Sequence, residues 1–406
     1  MNGSGLWHAR HAWLGHPAQD VLIEVENGLF KAVTEGVARP SQATAMNGYT
    51  IPGFANVHSH AFQTVLRGRV ETGAGNFWEW RDAMFRAAAG WGAPEYRLHC
   101  MQVFGEMLNA GITAVGEFHY LHALGNDLGQ AVIDAAKETG IRVTLIDACY
   151  LRGGLDGRPL QGAQRSFSDG DAERWAKRVD RLKDEDGVRI GAAIHSVRAV
   201  DPASMRTVAD WARERGAPLH IHLAEQPAEV EECMAVEGCS PARLLEREGI
   251  LGSDLTAVHA IHLDDDDIAL LGGHRVSVCA CATTERELGD RVGPLQALAG
   301  AGCKLCVGSD SNAIIDAFEE ARGLELDQRR ATGRRVLHQP EDLLRAATVN
   351  GMGSLGWEAG ELKPGMLADF IEVVPNTEFD ASGLVFGHSA SDVLTVVVGG
   401  KTVVSR

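Results

Sequence analysis

The chain has 406 residues, enough for one large domain with a smaller one beside it. Hydrophobic residues make up 45% of it and charged residues 23%, as in a globular protein with a sizeable core. With 38 Lys and Arg against 55 Asp and Glu, the net charge is −17, which argues against nonspecific binding to nucleic acid or to an anionic membrane.

An anionic ligand would therefore need local arginines working against the field of the whole molecule. The opening residues, Met1 to His8, lack the basic start and apolar core of a signal peptide. No apolar run approaches the roughly 18 residues of a membrane span. The 8 cysteines are scattered, so no disulfide framework is expected and a cytoplasmic location follows.

In chain order, Val21-Leu22-Ile23-Glu24-Val25, the turn pair Asn27-Gly28 and Leu29-Phe30-Lys31-Ala32-Val33 predict a hairpin. An apolar strand at 50–57 follows and ends in His58-Ser59-His60. Further strands are expected at 113–118, 141–148, 188–194, 218–223, 255–259, 275–279 and 304–308. Amphipathic segments such as 203–215 and 229–247 separate them. Short strands return at Leu367-Ala368-Asp369-Phe370-Ile371-Glu372-Val373 and from Val393 to Val404. Eight β-then-α units predict an α/β fold, a (β/α)8 TIM-type barrel over 50–359. Residues 1–49 and 360–406 are expected to form a small β-sandwich domain. A doubly wound open sheet is the alternative, and the lack of a Gly-rich phosphate loop after strand one argues against it. The segment from Gly153 to Arg158 reads as a mobile loop beside the site. Cys303-Lys304-Leu305-Cys306 lies in a strand-like run, where residues three apart face opposite sides, which argues against a metal or redox role.

In barrels of this kind the active site forms at the C-terminal ends of the strands. Here those ends carry His58 and His60, then His119 and Tyr120, Tyr150, His195 and Arg198, His222 and Glu225, and His259. Strand seven runs into Cys281-Ala282-Thr283-Thr284-Glu285, and strand eight carries Asp310. His58 and His60 share one strand face, because side chains alternate. Three histidines and a carboxylate, His58, His60, His222 and Asp310, suit zinc or another divalent transition metal. Such an ion lowers the pKa of water to about 7. Strands three and four contain no lysine to bridge two ions, so one ion per chain is expected, with zinc first among the candidates. Glu225, just past a ligand, can take and return a proton. His259 can orient the attacking water, and Asp310 can bind metal and shuttle protons. The scattered histidines His8, His11, His16, His99, His122, His274, His338 and His388 read as structural or surface residues, as do His220 and His262.

Taken together, these residues resemble the amidohydrolase superfamily over nearly the whole chain. Pro52-Gly53-Phe54-x-Asn56-x-His58-x-His60 is similar to its first-strand motif. Lys363-Pro364-Gly365-x-Leu367-Ala368-Asp369 is similar to its return to the β-domain. His58-Ser59-His60-Ala61-Phe62-Gln63, Phe77-Trp78-x-Trp80-Arg81, Glu117-Phe118-His119-Tyr120, His195-Ser196-x-Arg198 and His222-x-Ala224-Glu225-Gln226 resemble the formimidoylglutamate deiminases within it, as does Thr284-Glu285-x-x-Leu288-Gly289-Asp290. The resemblance implies metal binding by His58, His60, His222 and Asp310, and proton transfer by Glu225 assisted by His259. It implies that Gln63, Arg81, Tyr120, His195 and Arg198 hold a small anionic amidine through its glutamate part. It also implies a homodimer, in which Arg81 reaches in from a second subunit. One departure is Asn312, where histidine is expected after Gly308-Ser309-Asp310-Ser311, and it bears on the substrate rather than the metal. A deaminase acting on a heterocyclic amine, such as guanine or an adenosine derivative, is the competing enzyme reading. A non-catalytic barrel used for binding is the third.

Overall fold

The computed structural model describes residues 3–70 and 77–406, apart from the side chains of Phe77 and Trp78. The first half of the Phe77–Arg81 motif therefore lies outside the described side chains. Two sheets organise the chain. The first contains β1 (Gly5–Trp13), β2 (Pro17–Glu26), β3 (Leu29–Thr34) and β4 (Thr44–Pro52) from the N-terminal end. The second contains β5 (Phe54–Ser59), β6 (Ile112–His119), β7 (Arg142–Cys149), β8 (Val188–Ser196), β9 (Leu219–Leu223), β10 (Leu255–His259), β11 (Ser277–Ala280) and β12 (Lys304–Val307). The chain then returns to the first sheet with β13 (Phe370–Val373), β14 (Val393–Val398) and β15 (Lys401–Ser405).

The eight strands β5 to β12 pair in sequence order, each parallel to the next, with helices between most of them. Their side chains are buried almost throughout, as a sheet covered by helices outside and filled by side chains inside requires. The sheet closes where β5 meets the segment after β12. The Asp310 amide donates to His58 O and the His60 amide to Asp310 O, each at 2.9 Å. Gly308 permits that approach, since a Cβ there would stand 2.8 Å from the His58 Cβ.

The chain ends form one mixed sheet of seven strands, ordered β15-β14-β13-β4-β1-β2-β3. Trp7, Phe30 and Phe370 pack edge to face and tilted at its centre, apart from the larger barrel core. The strand expected at 50–57 is divided. Residues up to Pro52 belong to β4 in the small sheet, and β5 begins at Phe54. Gly53 turns the chain between them against β6, where a Cβ would lie 2.4 Å from Thr113 Oγ1. A buried ion pair joins the two sheets. Arg142 at the start of β7 donates to both carboxylate oxygens of Asp369, at 2.6 and 3.0 Å, and Asp369 also accepts from the Gly399 amide. Among the described residues, no helix is long and apolar enough to cross a membrane. All eight cysteines are free.

Candidate active site

The C-terminal ends of the barrel strands converge on one cavity of about 700 Å3. Several non-glycine residues there have left-handed backbone: Ala224 (φ 50°), His259 (φ 71°), Asp310 (φ 45°) and Asn312 (φ 57°). Such conformations cost energy and persist where surrounding structure enforces them. Here they turn the strand ends so that polar side chains meet.

Ring nitrogens of His58, His60 and His222 all lie within 4.8 Å of one another. His58 Nε2 stands 3.1 Å from His222 Nε2, and His58 Nε2 and His60 Nε2 each stand 3.4 Å from Asp310 Oδ1. His60 Nδ1–H donates to Phe118 O at 2.9 Å and His222 Nδ1–H to His195 O at 2.8 Å. Both Nδ1 atoms therefore carry hydrogen, and both Nε2 lone pairs face inward. Burial further holds these rings neutral: desolvation, then His58, pushes His60 down to about 3, and His58 and His222 are also lowered. Bare imidazole nitrogens packed around a carboxylate oxygen fit a divalent transition metal, so the four expected ligands are brought together.

Beside this cluster, His259 Nε2 lies 3.8 Å from both Glu225 Oε1 and Asp310 Oδ2, and His259 Nδ1–H donates to Glu285 Oε1 at 3.2 Å. Burial opposes charge on His259, but Glu225, Glu285 and Asp310 outweigh it and push its pKa up to about 10. Burial pushes Glu225 up to about 7, with His259 acting against it. A carboxyl group poised near neutrality suits proton transfer.

All five expected substrate-binding residues, Gln63, Arg81, Tyr120, His195 and Arg198, line the cavity. Gln63 Nε2 donates to Tyr120 Oη at 3.3 Å. Arg198 donates through Nε to Glu229 Oε2 at 2.6 Å, and among the described residues its Nη groups make no hydrogen bond to protein. Burial lowers charge on Arg198, yet Glu229 and Glu225 hold it firmly protonated. Arg81, on the helix Phe77–Ala87, lines the cavity of its own chain, with its guanidinium over the Phe85 ring.

Other positions depart from expectation. His119 does not line the cavity. It sits on the outer face of β6 against His122 and Tyr96, with both ring nitrogens buried and, among the described residues, without a hydrogen-bond partner. Asn312 is also away from the cavity lining. Its amide donates to Ser59 Oγ at 3.1 Å and accepts from Ser309 Oγ at 2.5 Å, so the departure bears on the strands carrying His58, His60 and Asp310 and not on the substrate wall. Ser59 in turn donates to Glu117, whose other oxygen accepts from the Ala61 amide.

Glu117, Glu229, Arg152 and Gln164 are additions that strand-end reasoning did not reach. Glu229 had a local signal, since it opens the helix Pro227–Glu237 directly after the His222–Glu225 motif. The loop from Gly153 to Arg158 stands at the cavity as expected, with Arg158 paired to Glu232 at 3.0 Å.

The family model of the amidohydrolase family matches residues 49–403. A formimidoylglutamate deiminase from Pseudomonas aeruginosa is 33% identical, covering 95% of this chain and 91% of its own length. A 5-methylthioadenosine/S-adenosylhomocysteine deaminase from Pelotomaculum thermopropionicum is 30% identical, covering 92% of this chain and 85% of its own. A solved amidohydrolase from Brucella melitensis superposes with a TM-score of 0.90 at 30% identity, covering 99% of this chain and 95% of its own. An adenosine deaminase from Xanthomonas campestris, solved with bound zinc, shares the fold at 24% identity, with a TM-score of 0.85 and coverage of 98% and 92%. With a closed barrel, inward-facing imidazoles and a family match over most of its length, the chain belongs to the amidohydrolase family and is a hydrolase of C–N bonds.

Proposed function

We propose that this enzyme hydrolyses N-formimidoyl-L-glutamate to N-formyl-L-glutamate and ammonia, a step of histidine degradation. The observation that carries the reading is the placement of Arg198 and Arg81 in the same cavity as the imidazole–carboxylate cluster. The substrate is a dianion with a cationic amidine, so an acidic protein needs local cations to hold it. Arg198 is preset for this, because Glu229 fixes its Nε edge and leaves the Nη groups for a carboxylate. Gln63, Tyr120 and His195 offer further polar contacts to the glutamate part.

His58, His60, His222 and Asp310 would hold a divalent cation, with zinc the first candidate, and its chemistry there would be that of a Lewis acid toward water. Glu225 accepts the proton of the attacking water and returns it to the terminal amidine nitrogen. A C–O bond forms at the formimino carbon, the C–N bond to that nitrogen breaks, and ammonia leaves. His259, held by Glu285, presents its Nε2 between Glu225 and Asp310 and orients the water. Asp310 serves as ligand and as a second proton carrier.

The same reading carries a cytoplasmic enzyme, which eight free cysteines suit. The homodimer implied by the family resemblance belongs to it too, although Arg81 needs no second subunit to reach its own cavity. A second reading, deamination of an adenosine derivative, draws on the relatives of that activity and on the aromatic wall of Tyr120, Tyr150 and Phe167. Ammonia release from zinc-loaded enzyme, measured across formimidoylglutamate, other amidines, guanine and adenosine derivatives, separates the two. Turnover of formimidoylglutamate is the expected result, and turnover of an aminated ring in its place rejects it.

A further inference from the structure

A second set of donors lies behind the first. His259, Cys281 and Asp310 each offer a ligand atom, these atoms all lie within 4.8 Å of one another, and all three residues are buried. The Asp310 carboxylate faces both sets. Its Oδ1 is turned to His58 and His60, and its Oδ2 lies 3.8 Å from His259 Nε2. Glu285 holds the other two donors in place, since its Oε1 accepts from His259 Nδ1–H at 3.2 Å and from the Cys281 amide at 2.9 Å. This bond holds a ring hydrogen on Nδ1 and aims Nε2 toward Asp310, as supporting carboxylates do at metal-binding histidines, and an entering ion takes the place of the Nε2 hydrogen that the charged ring carries. Cys281 does not line the cavity, and the proton-transfer scheme makes no use of its thiol.

We propose that His259, Cys281 and Asp310 form a second, inhibitory metal site for a thiophilic divalent cation, with Asp310 bridging it to the first. Imidazole, thiolate and carboxylate together select Cd2+ or surplus Zn2+ over Mg2+ or Ca2+. On binding, the S–H bond of Cys281 and the Nε2–H bond of the charged His259 break, sulfur–metal and nitrogen–metal bonds form, and both protons pass to solvent. The ion ties up the Nε2 of His259, so catalysis stops while the first site stays filled. The proposal depends on the first cluster only through Asp310 and is independent of which amine is hydrolysed.

The test is a Cd2+ titration of holoenzyme carrying one zinc per chain, with zinc and cadmium content, ultraviolet absorption and residual activity followed together. The expected result is one added Cd2+ per chain with zinc retained, a cadmium–thiolate absorption band, and inhibition in step with the band. Cys281→Ser, and separately Cys281→Ala, are expected to lose the band and to need at least tenfold more Cd2+ for half-inhibition, each against its own uninhibited rate. Mg2+ is expected to produce none of these effects. The proposal is overturned if cadmium only replaces zinc, if no second equivalent binds, or if it binds without a thiolate band. It is equally overturned if the band survives in both variants, which would assign it to another cysteine. The native titration decides the first three outcomes without any variant, and the zinc content reports independently on the first site.

Discussion

At the scale of single residues, the cavity pairs hard-won neutrality with fixed charge. The imidazoles facing one another are kept neutral by burial, while Arg198 is kept charged by Glu229 and Glu225. Replacing Arg198 with Met removes a charged donor from the proposed carboxylate contact. Each such hydrogen bond contributes about 1.5–3 kcal/mol, so losing the two bonds of a bidentate contact should lower kcat/KM for formimidoylglutamate by roughly 100-fold or more, with metal content unchanged. An enzyme for an adenosine derivative would lose little, and steady-state kinetics with metal analysis distinguish the cases. Asn312 belongs to the framework behind the ligands. Asn312→Ala deletes its bonds to Ser59 and Ser309 and takes the acceptor from the buried Ser309 hydroxyl, while Ser59 keeps Glu117 and Ser309 keeps Asn56, so it should cost about 1–3 kcal/mol of stability and release zinc faster to a chelator. Retention of zinc at the native rate would show that the network does not brace the ligands. The cluster of His58, His60, His222 and Asp310 was legible from sequence because each stands at the end of an apolar run. The pairings of Glu117 and Glu229 were not, although both stand in or beside the motifs, because their partners lie across strands or turns that only the folded barrel brings together.

At the scale of elements, helix ends are tied by buried carboxylates. Glu320, on the helix Ala317–Thr332, accepts from the amide and hydroxyl of Thr283 at the start of the helix Ala282–Leu288. Burial raises Glu320 to about 8, with the Thr283 bonds acting against it. The folded protein therefore holds this proton more tightly than the unfolded chain. The stability gained is complete below the ordinary carboxylate range and is lost as pH rises toward 8. Glu320→Gln should flatten the fall in Tm between pH 5 and pH 8, and an unchanged slope in thermal unfolding would refute that assignment. The order and type of the barrel strands followed from apolar runs bounded by turn residues. The division at Gly53 was hidden, because β4 and β5 are both apolar and nearly continuous, and only hydrogen-bond partners tell them apart.

At the scale of the whole molecule, the small sheet and the barrel share the Arg142–Asp369 pair. Arg142→Ala strands a buried carboxylate and should cost about 3–5 kcal/mol in denaturant unfolding, whereas removing Asp369 as well should recover part of the loss. A double variant no more stable than the single one would show that the pair is not the source of the loss. The closure of the barrel has its own consequence. The backbone bonds that join β5 to the Asp310 segment run between the residues that would grip the metal. An ion seated there would act as a clasp on the seam at which the eight-stranded cylinder begins and ends. Its binding energy is then shared with the opening of that edge. Stripping the metal should quicken amide exchange first at His60 and Asp310, while the β7–β8 pairing, away from that seam, keeps its protection. The amidohydrolase cylinder would thus unzip from its catalytic end.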